Sequence, residues 1–174
     1  MDPCALLCLL CRLLTDLLSH KLSLKKDIQS KGFHSEQEKL SVNLILTAAY
    51  FESKFTHFIK DFGVSPQQYN VLRILRGQVP NSIASGELQS RMLHKMSNAT
   101  RLVDKLIEKG FAVRVKNEKD KRVVLVSISA SGLELLAQLD EQVYAFNERY
   151  IKLPESQLMV LNLLLDQLRG ASED

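Results

Sequence analysis

Apolar residues between positions 97 and 109 repeat with the 3.6-residue period of an α-helix. At 100° per residue from Ser97, their side chains fall within an arc from about 140° to about 280°, and the polar side chains fall outside it. The apolar set is Ala99, Leu102, Val103, Leu106 and Ile107. The opposite side carries Ser97, Asn98, Arg101 and Lys105, with Thr100 at its flank. The pattern predicts a helix of about 20 Å with one buried and one solvated side, ended by Gly110.

Two valine-rich stretches, 112–117 and 122–128, follow this helix, and the first of them alternates with charged residues. Such stretches are typical of β-strands, and the four residues from Glu118 to Lys121 between them predict the turn. A helix with a polar side followed by a basic hairpin indicates a winged helix-turn-helix. In that arrangement the helix, called the reading helix below, enters the DNA major groove. The hairpin, called the wing, reaches phosphates or the neighbouring minor groove.

The rest of the chain is mainly helical in pattern. Residues 35–62 predict one long helix, which begins with the capping-box pair Ser35 and Glu38. Ser65 and Pro66 begin a second helix, which Gly77 ends. A short strand near 82–84 and a short helix over 85–93 are predicted before the reading helix, and two long leucine-rich helices, over 129–153 and 154–170, are predicted after the wing.

We therefore predict a mainly α fold with a small β-hairpin wing, in the α+β class: a winged helix-turn-helix with a helical dimerisation arm from both termini. Residues 1–34 are expected to be an apolar extension, 35–62 with 129–170 the helical dimerisation region, and 63–128 the DNA-binding domain. The terminal helices carry more leucine than a small winged domain needs to cover itself, which favours a symmetric homodimer. Two-fold symmetry would present two reading helices to half-sites about one DNA turn apart.

The first residues are the least typical part of the chain. Residues 4–18 are apolar nearly all the way round, but the run is shorter than the roughly 20 residues that a membrane-spanning helix needs, and it lacks the positive start of a signal peptide. We interpret it as a helix buried against the same chain, a second copy or, less readily, a membrane surface, and we expect a cytoplasmic protein without a membrane partner. Cys4, Cys8 and Cys11 are too close together for a disulfide framework and lack a second pair for zinc. They are either a thiol switch or small buried apolar residues.

Charge is concentrated where the reading helix and wing are predicted. The chain has 174 residues, 45% of them hydrophobic and 25% charged, which excludes disordered, collagen-like and disulfide-scaffold classes. Between residues 91 and 122, ten lysines and arginines stand against four acids, so this segment carries +6 while the whole chain carries +3. Such a cluster attracts a polyanion, and the alternative is an ordinary solvated helix face. The adjoining hairpin and the uneven charge favour double-stranded DNA.

Enzyme chemistry finds little support in the sequence. His20, His34, His57 and His94 lie on separate predicted elements, and neither a Gly-rich phosphate loop nor an HExxH motif is present. We therefore expect no enzymatic activity, no cofactor and no metal site.

Three segments resemble the MarR family of bacterial transcriptional regulators. SNATRLVDKLIEKGFAVR is similar to that family's reading helix and following strand, NEKDKRVVLVSIS to its wing, and SASGLELLAQL to the start of its fifth helix. The resemblance covers roughly Leu40 to Leu168. The family's wing commonly reads Asp-x-Arg-Asp-x-Arg; here Asn117 and Lys119 replace the first acid and first arginine, whereas Asp120 and Arg122 match. A lysine lacks the planar fork that suits a narrow groove, so the resemblance implies phosphate contact more than minor-groove insertion.

The resemblance also implies roles for single residues. Those expected to face bases or adjacent phosphates are Ser97, Asn98, Thr100 and Arg101, those expected to hold the backbone are Lys105, Lys119 and Lys121, and those expected to brace the wing beside the DNA are Asp120 and Arg122. It further implies a ligand- or redox-responsive repressor that acts as a homodimer on a palindromic operator.

Members of this family often respond to aromatic acids, phenolic compounds, oxidants or drugs, which implies a small aromatic effector here. We expect it near Phe51, Phe55, His57 and Tyr69, although phenylalanines at helical spacing are most simply core residues. The alternative function is a winged-helix module that binds proteins and has no specific DNA binding.

Overall fold

The computed structural model describes residues 32–95, 97–117 and 123–170. Its elements are α1 (Glu36–Lys60), α2 (Pro66–Arg76), β1 (Ile83–Ala84), α3 (Ser85–Arg91), α4 (Ala99–Glu108), β2 (Ala112–Lys116), β3 (Val124–Ile128), α5 (Ala130–Tyr150) and α6 (Glu155–Leu168). The fold is mainly helical with a small antiparallel sheet, which confirms the predicted class. The chain divides into two compact units, residues 1–57 and 58–174. The predicted helix over residues 4–18 and its three cysteines lie outside the described residues.

Local capping explains where several helices begin. The Ser65 hydroxyl accepts the backbone N–H of Gln68 and the Gln68 side chain accepts that of Ser65, so the predicted capping box before α2 is confirmed. At α5 the Ser129 hydroxyl accepts the N–H of Gly132, again as predicted. Before α1 the predicted box forms in part: the Ser35 hydroxyl accepts the N–H of Glu38 at 3.1 Å, but the Glu38 carboxylate accepts the N–H of His34 instead of that of Ser35. Each contact satisfies an N–H that a helix start would otherwise leave unpaired.

The sheet has the strand order β1–β3–β2, and both pairings are antiparallel. Ile83 on the two-residue strand β1 pairs with Val126, which confirms that the segment before α3 adds a strand to the hairpin. Side chains alternate across a sheet, and Ile83, Val126 and Ile128 point into the core while β2 is exposed beyond Ala112. The hairpin therefore extends outward from a buried base.

The core of the second unit connects four helices with the sheet. Its largest fully buried side chains include Leu72 and Leu75 on α2, Leu88 on α3, Leu106 on α4, and Leu136 and Leu139 on α5. The guanidinium of Arg76 on α2 also donates two hydrogen bonds to the Asp140 carboxylate on α5, at 2.7 and 3.0 Å. The buried side chains pack α4 against the other helices and the sheet of this unit, and the hydrogen bonds join α2 to α5.

The C-terminal part of the chain keeps a large apolar surface. α5 ends at Tyr150, slightly before the predicted end near Leu153, and α6 follows Pro154. No residue of α6 is buried, and its exposed apolar side chains are Met159, Val160, Leu161, Leu163, Leu164 and Leu168. Among the described residues, none of the helices has the length and apolar character to span a membrane.

Candidate nucleic-acid interface

Helix α4 is the reading helix predicted from the sequence, and it begins slightly later than the periodicity predicts. Its first residue is Ala99 and its N-cap is Asn98, whose side-chain oxygen accepts the backbone N–H of Arg101 at 3.0 Å. Ser97 and Asn98 therefore precede the helix instead of forming its first turn. The reason is that an asparagine amide stabilises a helix start best when it accepts an unpaired N–H from outside the helix.

The orientation of α4 follows the predicted amphipathic pattern. Ala99, Val103 and Leu106 are buried against the core. The opposite side leaves Asn98, Thr100, Arg101 and Lys105 exposed, whereas Ser97 is half-buried. Four of the five candidates placed on or beside this helix thus lie together at a solvent-facing surface, and their contact with DNA remains a prediction.

Two side chains hold the turn between α3 and α4. The Asn70 side-chain oxygen on α2 accepts the N–H of Leu93 at 3.1 Å. The Gln89 amide on α3 donates to the carbonyl of Lys95 at 3.2 Å. Sequence analysis missed both contacts, since an isolated polar residue on a helix gives no signal of the loop that it reaches. They set the direction in which the chain enters α4.

The basic segment contains two kinds of cation. Three are engaged internally: Arg91 pairs with Glu87, Arg114 pairs with Asp104, and Lys109 donates to Gly63 and Gln68. Four others make no ion pair and no side-chain hydrogen bond with another described residue, and they are Lys95, Arg101, Lys105 and Lys116. Lys95 and Lys116 are exposed and were counted in the net charge of the sequence but not singled out as contacts. They extend the available positive surface from the turn to the wing.

The pair between Asp104 and Arg114 joins the reading helix to the first wing strand. Asp104 lies on the solvated side of α4, one turn from Thr100 and Arg101, where an uncompensated carboxylate would repel phosphates. The guanidinium of Arg114 compensates that charge. Beside the pair lies a cleft of about 460 Å³ between the start of α3, α4 and the sheet, lined among others by Ser85, Thr100 and Val126.

The tip of the wing was expected to supply further contacts. Strand β2 ends at Lys116 and β3 begins at Val124. The residues expected to contact DNA or brace the wing, Lys119, Asp120, Lys121 and Arg122, lie between them and outside the described residues. Their predicted roles stay predictions.

The expected effector residues are distributed over two helices. Phe51 and Phe55 are half-buried and His57 is exposed on α1, in the first unit. Tyr69 is buried on α2, in the second unit, with the Arg73 guanidinium 5.9 Å from the centre of its ring. An effector site at these residues stays a prediction.

Two further phenylalanines, Phe58 near the end of α1 and Phe62 just after it, have a structural role. Phe58 stacks on Phe146 of α5 with ring centres 5.0 Å apart, and Phe62 lies 5.5 Å from Phe58. Phe146 in turn contacts Tyr150 at 4.7 Å. Aromatic pairs at such distances stabilise a fold beyond the area that they bury, so Phe58 and Phe62, both half-buried, contribute to an aromatic cluster around the buried Phe146. In the described part of the chain, no three His, Cys, Asp or Glu residues cluster as metal ligands would.

Comparison with known proteins identifies relatives of this chain. The model of the MarR family matches residues 64–124, which contain α2, β1, α3, the turn, the reading helix, β2 and the first residue of β3. The chain is 32% identical over 112 residues to YkoM, an uncharacterized helix-turn-helix-type transcriptional regulator of Bacillus subtilis strain 168. The match covers 62% of this chain and 71% of that protein.

Solved structures share the fold over most of the chain. A MarR-like transcription regulator from Bacillus cereus is similar with a TM-score of 0.70 and 21% identity, over 79% of this chain and 99% of that one. A mutant MarR of Escherichia coli, solved in complex with operator DNA, is similar with a TM-score of 0.67 and 21% identity, over 79% and 99% of the two chains.

Proposed function

Because the chain belongs to the MarR family of helix-turn-helix transcriptional regulators, we propose that it acts as a homodimer that binds a palindromic operator in double-stranded DNA. Each copy inserts the N-terminal half of α4 into the major groove and lays its wing along the adjacent backbone. The observation that carries this proposal is the exposed side of α4, where Arg101 and Lys105 make no ion pair with a described residue and the opposite side is anchored in the core.

This surface makes two kinds of contact, with base edges and with phosphates. Arg101 is long enough to donate two hydrogen bonds to a guanine edge, and Asn98 and Thr100 flank it, so these residues discriminate between sequences. Lys95, Lys105 and Lys116 are point charges around the helix and wing, and they neutralise phosphates whatever the sequence. The solved complex of Escherichia coli MarR with operator DNA supports this use of the fold.

A homodimer is supported by the unburied leucine surface of α6. Six large apolar side chains of that helix are exposed, among them Met159 at 68% and Val160 at 56%. A second copy would remove such a surface from water and would bring two reading helices to half-sites about one helical turn apart.

Regulation completes the proposal. An effector that stabilises a spacing of the two reading helices unlike that of the operator lowers DNA affinity, and by linkage DNA lowers effector affinity by the same factor. We propose a small aromatic effector near Phe51, Phe55, His57 and Tyr69, or oxidation of Cys4, Cys8 or Cys11, as the releasing event of a repressor. Titration of aromatic acids into the complex, and treatment with peroxide before and after replacing the cysteines by serine, separates the two.

The experiment that tests the function is selection of a preferred duplex from a random pool, followed by binding of that duplex and of a scrambled duplex at two salt concentrations. We expect a complex of two chains per duplex that survives a large excess of scrambled competitor. A protein-binding module without specific DNA binding would yield no enriched sequence and no competitor-resistant complex, which would overturn the proposal.

A further inference from the structure

Lys109 is an exposed basic residue at the C-terminal end of the reading helix. It is the C-cap residue of α4 and follows the last helical residue, Glu108. Its ammonium group donates to the carbonyl of Gly63 at 2.6 Å and to the side-chain oxygen of Gln68 at 3.1 Å. Both acceptors lie 41 or more residues away in the chain, at the corner between α1 and α2. The ammonium group is therefore engaged with acceptors of the same chain, at the protein surface.

The side-chain oxygen of Gln68 is held in place by the capping box, and both of its lone pairs accept hydrogen bonds. Gln68 is only 3% exposed and is the third residue of the capping box that begins α2. Its side-chain oxygen accepts both the N–H of Ser65 and the ammonium of Lys109, each at 3.1 Å, which uses its two lone pairs. Gly63, with φ of +73°, turns its carbonyl toward the same ammonium. A charged donor makes such hydrogen bonds about twice as strong as neutral ones.

We propose that Lys109 is a positioning residue for DNA recognition, which clamps the C-terminal end of the reading helix to the corner at Gly63 and Gln68. The inference rests on the proposed function, because it assigns Lys109 a role in sequence discrimination without contact with DNA. Lys105, one turn earlier on the same helix, is exposed and makes no ion pair and no side-chain hydrogen bond with another described residue. The two lysines have the same charge, but Lys105 is available to a phosphate whereas Lys109 is bonded to Gly63 and Gln68.

A small tilt of α4 at its C-terminal end would move its N-terminal end, which is the end proposed to contact bases. The ten residues of α4 span about 15 Å, so a tilt of about 4° at the clamped end displaces the N-cap end by about 1 Å. Hydrogen bonds to base edges tolerate little displacement, whereas attraction to phosphates hardly changes over such a distance. Loss of the clamp is therefore expected to weaken specific binding and to leave non-specific binding nearly intact.

The test compares Lys109→Met with Lys105→Met, both on the duplex selected by the wild-type protein and on its scrambled counterpart, over a series of salt concentrations. Lys109→Met is expected to lower affinity for the selected duplex about tenfold, which corresponds to one charge-assisted hydrogen bond, with an unchanged salt slope. Lys105→Met is expected to weaken both duplexes alike and to reduce the salt slope by about 0.9. Lys109→Arg, which keeps a charged donor, is expected to recover most of the specific affinity.

A second measurement on the free protein makes the clamp testable without DNA. Hydrogen exchange of the Ser65 amide, which Gln68 accepts, is expected to accelerate in Lys109→Met and to stay unchanged in Lys105→Met. The inference is overturned if Lys109→Met reduces the salt slope as Lys105→Met does, or if exchange at Ser65 does not respond. A wild-type protein that selects no duplex would refute the proposed function, and the exchange measurement would still decide whether the clamp exists.

Discussion

Arg101 and Lys105 lie one turn apart on the exposed side of α4 and have the same charge but different geometry. A planar guanidinium pairs with guanine in the plane of the base, and this contact contributes about 1–3 kcal/mol of discrimination. We therefore expect Arg101→Ala to abolish the preference for the selected duplex. Lys105→Ala is expected to weaken binding evenly across sequences. Binding isotherms on selected and scrambled duplexes check this, and equal loss of preference in both variants would refute the division of labour.

Gly132 is a residue at which a single methyl group is expected to be costly. A Cβ atom there would lie 2.3 Å from the carbonyl oxygen of Phe111 and 2.8 Å from Cγ1 of Ile128. Both are held in place, since the Phe111 carbonyl also accepts the N–H of Ser129. We expect Gly132→Ala to lower the free energy of unfolding by about 1–3 kcal/mol.

The matched control for this prediction is Gly86→Ala in α3. A Cβ atom at Gly86 meets nothing within 4 Å, and alanine suits a helix better than glycine. Denaturant unfolding is expected to leave this variant equal to the wild type or more stable by up to about 1 kcal/mol. Equal stabilities of the two variants would mean that α5 is not packed closely against Phe111.

Single residues were predictable where their signal is local. The buried side of α4, with Ala99, Val103 and Leu106, follows from helical period alone. The contact of Lys109 with Gly63 does not, because 46 residues separate the partners and nothing in either segment indicates the other. For the same reason the net charge of the segment does not reveal that Arg114 and Lys109 each have an internal partner.

At the scale of elements, Arg76 and Asp140 join α2 to α5. The hydrogen bond from the Arg76 guanidinium lowers the pKa of Asp140 below its ordinary value of about 3.9. A lowered pKa in the folded state means that the contact stabilises the protein fully above the ordinary pKa and is lost as the pH falls through the lowered value. Since the side chains are 32% and 51% exposed, we expect a contribution of only about 0.5–1 kcal/mol.

Asp140→Asn tests this contact through the pH dependence of unfolding. The difference in unfolding free energy between wild type and variant is expected to be constant near neutral pH and to shrink as the pH falls through the lowered pKa of Asp140. Glu141→Gln, at the next position, removes a carboxylate for which no ion pair with a described residue is seen, and serves as control. A difference that persists undiminished in acid would show that the carboxylate of Asp140 is not the stabilising group.

Elements were predicted best where caps and breakers mark their ends. Ser65, Ser129 and Pro154 all lie at the expected helix starts, because the two serines cap N–H groups three positions away and proline has a fixed backbone angle that suits a helix start. The strand at Ile83 was predicted by position, but its partner Val126 could be known only from the sheet. The start of α4 was predicted two residues early, since helical periodicity does not reveal that Asn98 caps the helix from outside.

At the scale of the whole molecule, the account requires the exposed leucines of α6 to be covered by a second copy. We expect Leu164→Glu, which places a charge on this surface at a site 55% exposed, to convert a dimer into monomers at micromolar concentration and to lower operator affinity with it. Leu93→Glu, at an 81% exposed site in the turn before α4, is expected to leave the protein a dimer of unchanged mass in solution. Sedimentation equilibrium checks both, and a wild-type protein that sediments as a monomer would refute the proposed assembly.

The sequence predicts a homodimer, because helices 129–153 and 154–170 carry more leucine than one copy can bury, and the dimer stays a prediction. The sequence does not predict the geometry of such a dimer, since the spacing between two reading helices would depend on the angles at which helices of different copies cross. That spacing would set the distance between the half-sites of the operator, and no local pattern of residues encodes it.

The most direct measurement of the central claim is a missing-nucleoside interference experiment on the selected duplex, with the wild-type protein and with Arg101→Ala. The account predicts two symmetric groups of required nucleosides, with centres about one helical turn or 10–10.5 base pairs apart. It also predicts that one position in each group ceases to matter in Arg101→Ala. A single group, or a pattern that is the same in both proteins, would mean that α4 is not presented twice to the major groove.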